Sequence, residues 1–337
     1  MSIFDHCTIV TESAESTRKV GLSFAKCYRR KQCTISLQGD LGAGKTTFTQ
    51  GFAHGLGIDD DVVSPTYALE QQYGDTLSHI DLYRLSGEQA NAFLDHEIKE
   101  FDGVRLIEWP ERASERVVDI AIRIEEISPS RRAIHIEWRD VPIPSDDIIR
   151  AWRADVQTPA HILDHMDAVA NVCDELVTMF IKTQRPIRQR ALNAAAKTHD
   201  LLRFVDFKDY VGADAPAQER INRWEDLRRT YGTPHERAAA GFLREKGYAD
   251  IGDIVETHRG FHSTEGGIPF PSLEHAVLSY ADKRVCHTTP VTLDQRFDEF
   301  MVRYGGGLES VEALAWRTYM KEVERRWIND ETLGSAS

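Results

Sequence analysis

The spacing of apolar and polar positions changes once along this chain, between residues 139 and 159. Before that point short β-rich runs alternate with helical stretches. Cys33–Gln38, Ser78–Tyr83, Val104–Glu108, Asp119–Ile124 and Ala133–Trp138 read as strands. Phe48–Leu56 reads as a helix closed by Gly57. This alternation predicts an α/β domain with a mainly parallel sheet. Arg139–Pro159 holds Pro142, Pro144 and Pro159 and the acidic pair Asp146-Asp147, a pattern that is irregular or only briefly helical. We therefore expect a first domain over 1–142, a linker over 143–158 and a second domain over 159–330.

From Pro159 onward the period is helical throughout. Ile162, Met166, Val169, Val172, Leu176 and Phe180 recur at three- or four-residue steps, so Ile162–Ile181 reads as a helix with Pro159 in its first turn. Ile187–Phe204, Glu219–Thr230, Glu236–Lys246, Leu273–Val285 and Val311–Trp327 follow the same rule. No strand-like alternation of any length interrupts them, which predicts an all-α domain. Trp316, Tyr319 and Trp327 in the last helix read as packing residues.

Composition narrows the class. The 337 residues suffice for two cores, with 41% hydrophobic and 28% charged positions. No apolar run approaches the roughly 20 residues that span a bilayer. The N-terminus lacks a basic segment followed by an apolar one, which argues against a secretory signal. Cys7, Cys27, Cys33, Cys173 and Cys286 form no CxxC pair, and their odd number points to a reducing cytoplasm. The net charge is −13 and is evenly shared: 16 Lys and Arg stand against 23 Asp and Glu up to residue 145, and 25 against 31 beyond it. Neither half has the basic balance of an autonomous nucleic-acid binder, although Arg185–Arg190 could form a local basic patch.

One motif carries specific chemistry. Gly39-Asp40-Leu41-Gly42-Ala43-Gly44-Lys45-Thr46 fits G-x-x-x-x-G-K-[ST], lies between a predicted strand and a predicted helix, and is followed by Thr47. The glycines let backbone N–H groups cradle phosphate oxygens, and the helix start adds its positive end. Lys45 should reach the β- and γ-phosphates, and Thr46 should ligate magnesium. The loop alone does not separate ATPases, GTPases and kinases. Ser64-Pro65-Thr66-Tyr67 lies where a switch segment would sit, Asp81 ends one strand-like run, and Glu108-Trp109 ends another. Strand-end carboxylates there suit metal coordination or polarisation of an attacking water. Each also has a plain reading: Thr66 as a turn residue, Asp81 as a partner of Arg84, and Glu108 at the surface with Trp109 in the core.

Taken together, GDLGAGKTTFTQGFAHGLG, SPTY, HIDLYRL and IEWPER closely resemble the TsaE family, small ATPases of the bacterial pathway that makes threonylcarbamoyladenosine in tRNA. The resemblance covers nearly all of residues 1–140. It implies an ATP- and Mg2+-dependent ATPase that docks on threonylcarbamoyl-transferase proteins, with tRNA met only indirectly. It assigns Lys45 and Thr46 to phosphate and magnesium, Thr66 to the switch and Glu108 to the second magnesium ligand. Asp81 is then the candidate catalytic carboxylate, and Trp109 a contact near the nucleotide.

The helical half carries a second set of residues. His199-Asp200 is an adjacent pair late in a predicted helix. His165 lies on the first helix, His235 opens another after Thr233-Pro234, His258 follows the apolar run Ile251–Val255, and Asp282 lies in Leu278–Lys283. Imidazoles and carboxylates from several helices can hold one or two transition metals, which would clamp a phosphoester and supply a hydroxide nucleophile. Spacing alone does not establish that they converge. The order H…HD…H…H…D over roughly residues 158–305 resembles the HD phosphohydrolase superfamily, and within it the bacterial hydrolases of diadenosine tetraphosphate. The resemblance implies a first metal site of His165, His199, Asp200 and Asp282. It implies a second of His235 and His258, bridged by Asp200. The ions would be Mn2+, Fe2+, Co2+ or Zn2+. His161, one turn before His165, competes for its role, and His262 could touch substrate. Arg203 stands where the family often has lysine, a positive charge suited to a substrate phosphate.

The resulting expectation is a two-domain, bifunctional cytoplasmic protein. An ATPase serves the tRNA modification pathway, and an HD-type phosphohydrolase acts on an adenine nucleotide. Candidate substrates are an N6-modified adenosine phosphate, threonylcarbamoyl-AMP and a dinucleoside polyphosphate. The alternative is an ATP-switched partner-binding module whose helical domain is a non-catalytic docking platform. A nucleotide kinase lacks an evident acceptor site.

Overall fold

The computed structural model describes residues 4–27, 32–97, 101–114, 118–208, 217–258, 270–304 and 311–329. The chain divides into two compact units. One is built on Phe4–Val141 and takes in Thr178–Arg188; the other is built on Pro142–Val177 and the residues from Gln189 onward.

In the first unit β1 (Asp5–Thr11), α1 (Ala14–Cys27), β2 (Cys33–Gln38), α2 (Lys45–Gly55), β3 (Glu70–Tyr73), β4 (Leu77–Asp81), α3 (Gly87–Glu97), β5 (Val104–Glu108), β6 (Ile120–Glu126) and β7 (Arg132–Trp138) follow in order. The seven strands form one sheet, ordered β1-β7-β6-β2-β5-β4-β3. Only the centre, β6-β2-β5-β4, is parallel; β1, β7 and β3 all pair antiparallel. The sheet is therefore mixed, which corrects the expectation of a mainly parallel one. Tight reversals cause this: Arg131 N–H to Ser128 O closes the β6–β7 turn, and Gly74, at φ 54°, lies in the β3–β4 turn. Every residue of β4 and β5 is buried, as expected of central strands covered on both faces.

The core of this unit gathers Ile35, Leu37, Leu106, Ile122, Ile134 and Ile136 from the sheet against α1 and α2. Phe24 lies 6.2 Å from Phe48, 5.8 Å from Phe52 and 6.2 Å from Trp138, ring centre to ring centre. The two helices meet backbone to backbone. A Cβ on Gly51 would fall 1.9 Å from the Arg18 carbonyl oxygen, and one on Gly21 2.2 Å from that of Phe48. In the register of the parallel strands Leu37, Glu108 and Asp81 lie side by side. The C-terminal ends of β2, β5 and β4 thus share one edge, the usual ligand side of such a sheet.

The second unit contains α4 (Asp146–Asp155), α5 (Ala160–Lys182) up to Val177, α6 (Gln189–Ala196), α7 (Gln218–Tyr231), α8 (His235–Glu245), α9 (Ala249–Glu256), α10 (Leu273–Lys283), α11 (Leu293–Tyr304) and α12 (Val311–Val323). Its strands among the described residues are a two-stranded hairpin, β8 (Val285–Cys286) with β9 (Thr289–Pro290). The stretch expected as a linker folds as α4, capped by Ser145 and buried at Ile149 and Val156. Lys197 reaches Asp146 at 2.7 Å, Trp224 Nε1 donates to Val156 O at 3.2 Å, and Thr158 Oγ1 donates to Leu201 O at 2.8 Å. The helix expected over Ile187–Phe204 stops at Ala196, and turns carry the chain through residues 197–202 to a 3-10 turn at Arg203–Asp206. There the Thr198 hydroxyl donates to Ala194 O at 2.7 Å, a local bond that competes with helix continuation. Arg185 and Arg188 are buried, which leaves Arg190 as the exposed arginine of the Arg185–Arg190 stretch. Among the described residues no helix is long and apolar enough to cross a membrane.

Candidate functional site

The phosphate-binding motif forms the turn from β2 into α2. Gly39 (φ 156°) passes so close to β6 that a Cβ there would meet the Ile124 carbonyl oxygen at 2.6 Å. Gly44, left-handed at φ 107°, caps α2. The first helical bond is Phe48 N–H to Gly44 O at 2.9 Å, so the N–H groups of Lys45, Thr46 and Thr47 precede the helix's own ladder. Arg132, on β7, holds the loop from behind. Its Nε donates to Ala43 O at 2.9 Å and its Nη2 to Gly42 O at 3.4 Å. Because a trans peptide sets C=O and N–H in opposite directions, tying back the Ala43 carbonyl turns the Gly44 N–H the other way. Asp40 contributes its backbone: its carbonyl accepts from the Ala43 N–H at 3.1 Å.

Lys45 is 6% exposed, and its ammonium donates to Gly39 O at 2.8 Å and Asp40 O at 3.1 Å. It also lies 4.1 Å from the centre of the Trp109 ring. Burial pushes its pKa down, while Glu108, Asp81, Glu111 and Asp40 act against the shift. Trp109 is a non-glycine residue at φ 56°, a strained conformation that turns its ring over Lys45 and within 5.0 Å of Tyr83.

Both strand-end carboxylates are buried. Asp81 Oδ2 accepts from Ser64 Oγ at 2.8 Å and Thr66 Oγ1 at 2.6 Å, and Oδ1 accepts from the Tyr83 N–H at 2.9 Å. The Asp81–Arg84 pairing is replaced by these bonds, and Arg84 lies 4.7 Å from the Tyr67 ring centre instead. Glu108 Oε1 faces His79 Nε2 at 3.0 Å, with both side chains almost fully buried. Lys45, Thr66, Asp81, Glu108 and Trp109 are thus brought together, and Thr46 lies in the adjoining first turn of α2. Sequence reading placed Ser64 in the switch segment without a role of its own, and missed His79 and Arg132. His79 was findable, since strand alternation puts it on the face of Asp81 two residues later. Arg132 had no local signal, because it reaches the loop from β7.

In the second unit His165 (α5), His199 and Asp200 (after α6), His235 (first residue of α8), His258 (after α9) and Asp282 (α10) converge. His165 Nε2 is 3.0 Å and His199 Nε2 3.7 Å from Asp282 Oδ1. Asp200 Oδ2 is 3.9 Å from His199 Nε2, while its Oδ1 is 2.9 Å from His235 Nε2 and 3.6 Å from His258 Nε2.

Three of the imidazoles share one orientation. Nδ1 lies 2.8 Å from His287 O in His165, 2.8 Å from Ala196 O in His199 and 2.6 Å from Val255 O in His258. A carbonyl only accepts, so each Nδ1 carries the proton and each Nε2 turns a lone pair toward the carboxylates in the neutral ring. The His199 Nε2 is buried without a hydrogen-bond partner. Such contacts are satisfied either by protonation, as Asp282 favours for His165, or by a cation among them, and this donor set suits a divalent transition metal. His165, His199 and Asp282 bring ligand atoms within 4.8 Å of one another, as do His199, Asp200 and His258.

His235 differs: its Nδ1 faces Asp206 Oδ2 at 2.6 Å and Glu236 Oε2 at 3.0 Å. Burial alone would lower its pKa, but Asp200, Asp206 and Glu236 raise it to about 10. Burial likewise opposes ionisation of Asp200 and Asp282. His199 and His235 nevertheless hold Asp200 well below the usual carboxylate range, and Lys283, His165 and His199 do the same for Asp282. Arg203 lies against the His235 ring, its Nη1 2.7 Å from Nδ1, and 3.8 Å from Asp206. Asp206 and Glu236 escaped sequence reading because they follow no spacing rule. His161 is exposed on α5, and His262 lies outside the described residues.

Comparison with known proteins bears on the first unit. The family model described as "Threonylcarbamoyl adenosine biosynthesis protein TsaE" matches residues 11–140. The Bacillus subtilis (strain 168) protein "tRNA threonylcarbamoyladenosine biosynthesis protein TsaE" is 39% identical over 120 residues, 35% of this chain and 73% of that protein. The Haemophilus influenzae protein of the same description is 36% identical over 128 residues, covering 34% and 80%. The Aquifex aeolicus one is 34% identical over 133 residues, covering 38% and 93%. A solved structure described as "Crystal structure of Bacillus subtilus YdiB" is 31% identical, covers 41% of this chain and 88% of its own, and superposes with a TM-score of 0.33. The family model ends at residue 140, so the reading of the second unit rests on its own residues.

Proposed function

This chain belongs to the TsaE family through residues 11–140, and from that premise we propose a bifunctional cytoplasmic protein. Its first unit is an ATPase of tRNA threonylcarbamoyladenosine biosynthesis. Its second unit is a metal-dependent phosphohydrolase of the HD type. The ATPase reading rests on the placement of Lys45 against the loop carbonyls, with Asp81 and Glu108 at adjoining strand ends. A triphosphate entering the loop takes the Gly44 N–H and the first N–H groups of α2. Its oxygens then replace the Gly39 and Asp40 carbonyls as partners of Lys45. Thr46 and Glu108 are the residues to hold Mg2+, which when bound neutralises charge on the β- and γ-phosphates. Asp81 holds Ser64 and Thr66 through one oxygen, so movement of the 64–67 segment and release of that oxygen for the attacking water are a single event. The partners are threonylcarbamoyl-transferase proteins, with tRNA reached through them.

The phosphohydrolase reading is carried by the three histidines that donate Nδ1–H to backbone carbonyls and turn Nε2 onto Asp200 and Asp282. His165, His199, Asp200 and Asp282 would hold one ion, and His258 with His235 would serve a second. Such ions clamp a phosphoester and acidify its attacking water. Arg203, against the His235 ring, supplies the positive charge that a phosphate needs beside them. A shared nucleotide between the two units favours an adenine nucleotide substrate. The test is a screen of N6-modified adenosine phosphates, threonylcarbamoyl-AMP and dinucleoside polyphosphates with Mn2+ or Co2+. It compares wild type, Lys45→Ala and Asp200→Ala. Each substitution should abolish one activity and spare the other. No phosphoester hydrolysis by wild type, with no metal retained, would leave the helical unit a docking platform.

A further inference from the structure

Outside both sites, Cys286, His287 and Glu299 bring ligand atoms within 4.8 Å of one another. Cys286 is the last residue of β8, His287 begins the hairpin turn, and Glu299 comes from α11. Two adjacent residues of an extended strand point to opposite faces, so a Cys-His neighbour pair does not normally share a ligand. Here His287 is left-handed, at φ 56°. That strained conformation breaks the alternation and brings its ring to the side of the Cys286 sulfur. The Glu299 carboxylate is held from outside by Arg296, whose Nη1 donates to Oε2 at 2.6 Å, as outer groups orient a metal ligand.

We propose that Cys286, His287 and Glu299 form a zinc-type divalent site separate from the His/Asp cluster. One thiolate, one imidazole and one carboxylate are the ligand types zinc takes, and three protein ligands leave one tetrahedral position open to solvent. Ligand atoms around such an ion are separated by roughly 3.3–3.7 Å, so the three groups need to close by about 1 Å or so from their outer limit. Occupancy has a structural result beyond the hairpin. The His287 carbonyl is the acceptor that orients the His165 ring at 2.8 Å, so an ion on the His287 side chain pins the turn that aims His165. The proposal does not depend on the hydrolase reading.

Cobalt(II) titrated into the full chain to several equivalents, beyond what the His/Asp cluster can hold, tests it. Sulfur-to-cobalt charge-transfer absorption in the near ultraviolet requires a thiolate ligand, and the His/Asp cluster offers none. The band should appear in wild type and in Asp200→Asn, vanish in Cys286→Ser, and need at least tenfold more cobalt in Glu299→Gln. Absence of the band in wild type overturns the site, as does a band unchanged by Cys286→Ser or by Glu299→Gln. Far-ultraviolet circular dichroism of both variants should match wild type, because Cys286 and Glu299 are only half-buried.

Discussion

Replacing Arg132 with alanine tests whether the phosphate loop is held open from behind. The substitution removes two hydrogen bonds to loop carbonyls, one at 2.9 Å to Ala43 and a longer one at 3.4 Å to Gly42. It also removes bonds to Ser128 O at 2.7 Å and Arg131 O at 2.9 Å, which fix the guanidinium rather than the loop. A charged hydrogen bond contributes about 1.5–3 kcal/mol. The side chain is 15% exposed and water recovers part of the loss, so we take about 1–2 kcal/mol for the pair. Without Arg132 the loop samples carbonyl-inward states, and that energy is lost from nucleotide binding. ATP affinity measured by titration calorimetry with Mg2+ should weaken by about 5- to 30-fold. Arg132→Lys, which keeps one donor, should fall between. An affinity within twofold of wild type would refute the reasoning. So would a lower melting temperature with affinity unchanged, because Arg132 would then be only a sheet residue.

Gly39→Ala forces a methyl against the Ile124 carbonyl and should cost about 1–3 kcal/mol in urea denaturation while abolishing ATP binding. Phe24→Ala empties the aromatic contact between α1, α2 and β7 and should lower unfolding free energy by about 3–5 kcal/mol, read from the denaturation midpoint. Metal content of dialysed protein, by plasma mass spectrometry, should fall as pH drops through the imidazole range, since protons compete for the Nε2 lone pairs; His199→Ala should lose metal at every pH. In chelated protein His235, raised to about 10, contributes stability that is complete below the ordinary histidine pKa near 6.5. That contribution is lost as pH climbs through 10, so the melting temperature should decline over that window, and His235→Gln should flatten the decline.

The parallel centre of the first unit was legible because β2, β4 and β5 read as short β-rich runs, although β4 and β5 bury Ser78, His79, Asp81, Arg105 and Glu108 among their apolar residues. The sheet's edges were not legible in the same way. β1 buries Asp5, Cys7, Ile9 and Thr11, an alternation hidden by its polar inward residues. β3 carries only Tyr73 fully inward among Glu70, Gln71 and Gln72. The phosphate loop could be read whole, since its chemistry is contiguous. Ser64 and His79 complete it through tertiary contacts, and Arg132 reaches it from β7 with no local signal. In the second unit the residue types were visible, but convergence was not, since His199 and Asp200 meet their partners only because the helix ends at Ala196. Helical periodicity alone would have wound them onward and turned the pair elsewhere. Asp206 and the Cys286–His287 turn depend on backbone conformations that no periodicity encodes.

The docking of α4 has a practical side for anyone dissecting this chain. A fragment of the helical unit cut at Pro159 discards the Thr158 hydroxyl that binds Leu201 O, the Val156 carbonyl under Trp224, and the acid that meets Lys197. Lys197 and Leu201 lie in the turn bearing His199 and Asp200, and Trp224 stacks on Phe204 just after it. Such a fragment would lose the brace of its own metal-binding turn. One begun at Pro142 would carry the brace along.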